Sequence, residues 1–285
     1  MRINHNVSAM VTQGALYKAN RTMNSSIEKL STGLRINRAS DDAAGLAISE
    51  NLRTQVRGAN QAKRNAMDGI AALNIAEGAA SEVSDILQRM RELAIQSSND
   101  TLTDEERDYT DQEFQALISE IDRIADVTNY NGQKLISDET TGDRFGSGTT
   151  GSALWIDANA TAGTDSITIS IETLSTGSSG GIGVNNLDLQ SQSNAAAAIS
   201  TLDDAIGSVN SMRANLGAFV NRLEHATNSL IVSETNQAAA ESQIRDVDFA
   251  SETSNFVRNQ ILSQSATAML AQANMVPSSV MSLIG

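Results

Sequence analysis

His5 and His225 are the only imidazoles in the 285 residues, and the chain has no cysteine. A zinc site needs three or four His, Cys or carboxylate ligands at short spacing. These two histidines stand far apart, with no HExxH or related pattern beside either. Packing or surface roles follow for both, and no metal is expected. Asp41 and Asp42 form an adjacent carboxylate pair, the raw material of acid–base chemistry. They precede the periodic run AAGLAISENL, where negative charge meets the positive end of a helix dipole. Ser40 and Asp41 therefore read as helix caps. "GSGTTGS" and "GSSGGIG" are rich in glycine but lack the Lys-Ser/Thr that closes a phosphate loop. Asn159 opens the triplet NAT, an N-glycosylation pattern inside a Ser/Thr-rich stretch that could also take O-linked sugars. No catalytic, cofactor-binding or metal-binding set emerges, so the chain reads as a non-enzyme without cofactors.

Composition narrows the class further. Aromatic residues make up 3% of the chain, so the core must be built from Ala, Leu, Ile, Val and Met, which suits thin helix-on-helix packing. One proline, Pro277, leaves long helices free of their strongest breaker. A formal net charge of -14 with no basic run disfavours nucleic acid as a partner. No stretch of 18 apolar residues occurs, and the N-terminus lacks the basic and apolar regions of a cleavable secretory signal. No membrane partner is expected, and any exit from the cell would need another exporter.

The elements that must carry function are heptad segments. Leu16, Asn20, Met23, Ile27, Leu30 and Leu34 follow alternating steps of four and three, a coiled-coil seam with one polar interruption, and Gly33 supplies a stop. A second seam runs through Leu73, Ala76, Ala80, Val83, Leu87, Met90 and Ala94, and a third through Phe114, Leu117, Ile121 and Ile124. "TNYNGQKLI" closes this part with an Asn-Gly turn. In the middle, ALWID and DSITISIETL flank ANATAGT, and Ile167, Ile169 and Ile171 alternate with polar residues as in a β-hairpin. A lone hairpin has little stability, so it must lie on the helices or form a surface lobe. Heptads return at Leu202, Ile206, Val209, Leu216, Val220, Leu223 and Leu230, and again at Val257, Ile261, Gln264, Ala268, Ala271 and Met275.

These segments predict a mainly α fold: a long antiparallel helical rod or coiled-coil bundle formed by both chain ends, with a small β-hairpin region in the middle. The last stretch, QSATAMLAQANMVPSSVMSLIG, is apolar and uncharged to its end. A pair of thin terminal helices cannot bury both its faces, so those ends are expected to be disordered in a lone subunit and to order against further copies of the chain. Unlike patches on identical subunits grow into an open helix when the rotation does not close. A filament is the expected product.

The segment from IEKLSTGLRINRASDDAAGLAISENL to LQRMRELAIQSSN resembles the N-terminal region of bacterial flagellins, and EIDRIADVTNYNGQKL resembles the end of that region. VRNQILSQSATAMLAQANMVPSSVMSLIG resembles the family's C-terminus, and the short middle makes the whole similar to a minimal flagellin. The resemblance implies a structural subunit of the extracellular flagellar filament, exported unfolded through a type III apparatus without a cleavable signal. It implies a core domain of the inner filament wall at 1–43 and 245–285, a helical rod domain at 44–139 and 194–244, and a variable hairpin region at 140–193. The implied partners are further copies of the chain, an export chaperone at the C-terminal segment, and the filament cap and hook-junction proteins. Hook–filament junction proteins share the helical ends, but the combined LSTGLRIN, DDAAGLAIS and LAQANMVPSSVMSLI set favours the filament subunit. The assembly interface is expected at Leu16, Met23, Ile27, Leu30, Leu34, Val257, Ile261, Leu262, Met269, Leu270, Met275 and Val280. Of these, Ile261, Leu262, Met269, Leu270 and Val280 are expected to bury apolar area only in the polymer. A contact with the vertebrate Toll-like receptor for flagellin is implied at Arg89, Leu93 and Glu113.

Overall fold

The computed structural model of the chain describes residues 5–138, 144–146, 151–158, 165–177 and 181–284, with side chains described as far as Met275. Five helices dominate: α1 (Val7–Thr32), α2 (Ala43–Ser97), α3 (Asp104–Val127), α4 (Gln192–Arg245) and α5 (Phe249–Ile284). Two antiparallel pairs complete the described elements, β1 (Asn129–Tyr130) with β2 (Gln133–Lys134) and β3 (Ser152–Trp155) with β4 (Ser166–Ile169). The chain divides into two compact units, residues 1–54 with 236–285, and residues 55–235.

The helix ends follow from local chemistry. Asn6 caps α1 by accepting the Ala9 amide, and Gly33 ends it with φ 74°, a left-handed value that glycine adopts without a Cβ penalty. Asp42 caps α2 by accepting the Gly45 amide at 2.8 Å. Asp41 instead accepts the amides of Asn37 and Arg38, which together hold its carboxyl below the usual range. The cap is thus Asp42 rather than the expected Ser40 or Asp41, because Asp41 is used to pin the loop before it. Thr103 and Glu106 form a reciprocal capping box at the start of α3.

In the unit spanning 55–235, one core joins α2, α3, α4 and the β3–β4 hairpin. The predicted seam of α2, from Leu73 through Ala94, is fully buried. Phe114 and Ile121 are buried as expected, but the third seam continues through Ile118 and Ala125, leaving Leu117 and Ile124 half-buried at its edge. On α4, Leu202, Val209, Leu216, Leu223 and Leu230 face inward. Three ion pairs tie α2 to α4 in antiparallel order: Lys63 to Glu234, Glu77 to Arg213 and Arg91 to Asp203. Their α2 members lie two heptads apart, so each returns to the same flank of the helix.

The β3–β4 hairpin lies on α2, and glycines make the room. A Cβ at Gly58 would stand 2.5 Å from the Ala158 Cβ and 2.9 Å from its Cα; at Gly69 it would stand 2.4 Å from a Leu154 methyl. Ile167, Ile169 and Ile171 point into the core, as their alternation requires. The Asn-Gly turn joins β1 to β2, with Asn131 at φ 51° and Gly132 at φ 81°, the left-handed pair of a tight hairpin turn. Asn159, the glycosylation candidate, lies outside the described residues.

Two outcomes are expected. Gly58→Ala gains about 0.5–1 kcal/mol of helix propensity but must displace the Ala158 backbone, a strain of about 1–3 kcal/mol. Limited proteolysis should then cut the hairpin region faster, while Gly14→Ala, whose Cβ meets nothing within 4 Å, should not change that rate. The second concerns Glu234, held below its ordinary value by hydrogen bonds from Lys63 and then Asn60. Its stabilising effect is complete above the unfolded carboxylate range and is lost as pH falls through the lowered folded value. Glu234→Gln should flatten the acid-side fall of the melting temperature between about pH 6 and about pH 3; an unchanged profile would contradict this role.

Candidate assembly surface

Hydrogen bonds at three levels set α1 against α5. Asn6 Nδ2 donates to the Ala273 carbonyl at 2.8 Å, Ser263 Oγ donates to Asn20 Oδ1 at 2.9 Å, and the Val247 amide donates to the Gly33 carbonyl at 3.0 Å. As position rises in one helix it falls in the other, so the pair is antiparallel. Asn20, the one polar residue in the predicted α1 seam, is thus matched across the interface, and a single polar pair of this kind fixes register.

The inner face of this pair is modest. On α1 it is Ala9, Thr12, Leu16, Ala19, Met23, Ser26 and Leu30, with only Ala19 and Ser26 fully buried. On α5 it is Phe256, Asn259, Ser263, Ala266, Leu270 and Ala273, all half-buried. Leu16, Met23, Leu30 and Leu34 are half-buried where the heptad reading put them. The α5 reading is corrected: Val257, Ile261, Gln264, Ala268, Ala271 and Met275 are the outward face, displaced by one or two positions from the seam that meets α1. Apolar side chains run nearly all round α5, and a helix of that kind satisfies more than one seam. Leu270, expected to wait for a neighbour, is half-buried in this chain already. Val280 falls in the last turns of α5, outside the described side chains.

What the pair leaves uncovered is large and apolar. Val7, Met10, Val11, Tyr17 and Ile27 on α1, and Phe249, Val257, Ile261, Leu262, Met269 and Met275 on α5, are each exposed by 44% or more. Between the helices runs a groove of about 460 Å³ lined by Thr12, Ala15, Ala19, Leu262, Ala266 and Met269 among others. Charge is sparse: Lys18, Arg21, Glu28 and Lys29 on α1, and Glu252 and Arg258 on α5. The unit containing the pair carries nine basic and eight acidic residues, whereas the other carries eleven and twenty-six. The net negative charge therefore belongs to the other unit, and the near-neutral terminal unit puts little electrostatic repulsion in the way of like surfaces.

The second predicted contact group divides. Arg89 and Glu113 are exposed and paired at 2.9 Å, and hydrogen bonds donated by the guanidinium to Glu113 and then to Glu92 hold it above its ordinary pKa. Leu93, expected on the same contact face, is 2% exposed and packs in the core behind them. The seam ending at Ala94 already used the neighbouring positions, and the broader core takes Leu93 as well. Sequence reading also missed the polar clamps of this unit. Arg107 holds the carbonyls of Ser97 and Asn99 at the end of α2, Asp111 accepts the Leu189 amide, and Asp122 accepts the Thr176 amide and hydroxyl. The Thr-x-x-Glu of the capping box left a local signal, whereas the Asp111 and Asp122 contacts join residues distant in sequence. Among the described residues no group of three His, Cys, Asp or Glu could hold a metal ion.

Residues 3–141 match the family described as the bacterial flagellin N-terminal helical region, and residues 199–284 match its C-terminal helical region. The chain is similar to a flagellar filament 33 kDa core protein of Treponema phagedenis, with 44% identity over 288 residues covering 100% of both chains. It is similar to a flagellin of Bacillus subtilis (strain 168), 44% identical over 306 residues, again with 100% of both covered. A crystal structure of Bacillus cereus flagellin shares 32% identity, covering 62% of this chain and 94% of that one, with a TM-score of 0.49.

The two faces of α5 should respond differently to substitution. Leu16→Ala and Leu270→Ala, at the half-buried seam, should each cost about 1–2 kcal/mol, below the range of fully buried sites. Ile261→Ser, on the outward face, should stay within about 0.5 kcal/mol. Chemical denaturation of the unassembled chain, followed by the helical circular dichroism signal, distinguishes the two; equal losses would contradict the seam assignment.

Proposed function

Because this chain belongs to the bacterial flagellin family, we propose that the uncovered faces of α1 and α5 are the surface through which it polymerises. The chain is a structural subunit of the flagellar filament and forms a homopolymer. The observation that carries the assembly reading is the apolar, nearly uncharged outer surface of a two-helix pair that buries only one seam of each helix. Burying such area against further copies is favourable at about 25 cal/mol per Å². In this reading the pair is marginal in a lone subunit and gains its stability in the polymer.

The finer assignments follow from the same reading. Residues 1–43 with 245–285 serve as the core domain of the inner wall, residues 44–139 with 194–244 as the helical rod domain, and residues 140–193 as the variable region. Ile27, Val257, Ile261, Leu262, Met269 and Met275 supply the outward interface, Leu16, Met23, Leu30, Leu34 and Leu270 hold the pair beneath it, and Val280 extends it. The chain leaves the cell unfolded through a type III exporter, with the C-terminal segment shielded by a chaperone, and meets the cap and the hook-junction proteins on assembly. Arg89 and Glu113 are proposed as the exposed part of a Toll-like receptor contact, with Leu93 supporting their backbone from within.

Seeded polymerisation with negative-stain microscopy tests the central claim. The full chain should grow long uniform filaments, whereas a chain ending at Ile244 should not. Ile261→Asp, which puts a charge on the outward face, should fold and yet raise the critical concentration at least about tenfold, as one unpaired charge costs more than 1.4 kcal/mol when buried. Equal assembly by all three would refute the assignment of this surface.

A further inference from the structure

We propose that Met10, Met269 and Met275 are oxidation-sensitive thioethers on the uncovered faces of α1 and α5 through which hydroperoxides block assembly of free subunits; this rests on the assembly reading above. The antiparallel pairing sets Asn6 against Ala273, and one turn along each helix brings Met10 and Met269 to a common level. Their side chains are 65% and 59% exposed, and that of Met275 is 61% exposed. Met90 and Met212, by contrast, lie buried in the other unit. The chain contains no cysteine to consume an oxidant first, so accessible thioethers are its most readily oxidised groups.

The chemistry balances without a cofactor. The thioether sulfur attacks the distal oxygen of a hydroperoxide; a sulfur–oxygen bond forms as the oxygen–oxygen bond breaks, and the proton of the transferred oxygen passes to the departing one. Sulfur loses two electrons, and the hydroperoxide is reduced to water or to an alcohol. The product sulfoxide is polar and chiral where the thioether was apolar and flexible. Thr12, Lys18 and Ser265 line the groove beside Met269, but the large apolar side chains left uncovered on the pair, Val7, Val11, Val257, Ile261 and Leu262 among them, carry no side-chain donor. Burying the sulfoxide oxygen among such residues would leave it without a hydrogen bond, and an unpaired buried polar group opposes burial. In the polymer the same sulfurs are covered, so the switch acts on the subunit before assembly and spares the finished filament.

The test treats unassembled full-length chain with hydrogen peroxide, maps sulfoxides by peptide mass spectrometry, and then seeds polymerisation. Oxidation at Met10, Met269 and Met275 should raise the critical concentration at least about tenfold, and methionine sulfoxide reductase should restore it. Preformed filaments given the same treatment should keep these three as thioethers. The M10L/M269L/M275L variant should show the same critical concentration with and without peroxide, although Met67, 56% exposed in the other unit, is still oxidised. Unchanged polymerisation of the oxidised chain, an equal loss in the triple variant, or no recovery with the reductase would each overturn the proposal. Reductase recovery decides the matter even if the triple variant assembles poorly. Failure of the untreated chain to polymerise would instead overturn the assembly reading, and this proposal with it.

Discussion

A helix in a two-helix pair can bury only one seam, and the rest of this structure depends on that limit. α1 and α5 meet through a mixed seam in which Leu16, Met23, Leu30, Phe256 and Leu270 stay half-buried, and Ala19 and Ser26 are the fully buried residues of α1. Many further large apolar side chains of the pair point outward. Such a pair carries more apolar surface outside than inside, the reverse of a helix that finishes its folding within one chain. The uncovered area has a use only if further copies cover it.

The two units solve different problems with the same helical vocabulary. In residues 55–235, α2, α3, α4 and the β3–β4 hairpin enclose a shared core, so Leu73, Leu87, Met90 and Phe114 are removed from water by this chain alone. Polar clamps at Arg107, Asp111 and Asp122 finish the loops between these elements. The acidic excess is concentrated here, where it keeps the unit solvated. The terminal unit is close to neutral, which lowers the electrostatic work of bringing copies together. Partition of charge and partition of apolar exposure thus point to the same division of labour.

Polar residues inside the terminal pair have a positional role. Asn20 and Ser263 meet across the seam, and Asn6 both caps α1 and reaches the Ala273 carbonyl. Their hydrogen bonds are formed at one stagger of the helices and lost at others, whereas Ala and Leu contacts tolerate sliding. Register therefore comes from a few polar atoms, and surface for association from the apolar majority.

Much of this was legible from residue spacing. The heptad seams of α2 and α4, the stop at Gly33, the Asn-Gly turn and the alternating isoleucines of β4 are local patterns, and local patterns fix element type, length and usually the buried face. The chain's composition likewise determined a thin helical core without thiol chemistry. Tertiary structure alone decided which face of α5 turns inward. Val257, Ile261 and Met275 keep as good a period as the seam through Phe256, Ser263 and Leu270, so periodicity could not choose between them. The choice rests on Ser263 finding Asn20 and Ala273 finding Asn6, pairings more than 240 residues apart in sequence. Leu93 and the clamps at Asp111 and Asp122 were hidden for the same reason: their burial and partners come from segments that only the folded chain brings together.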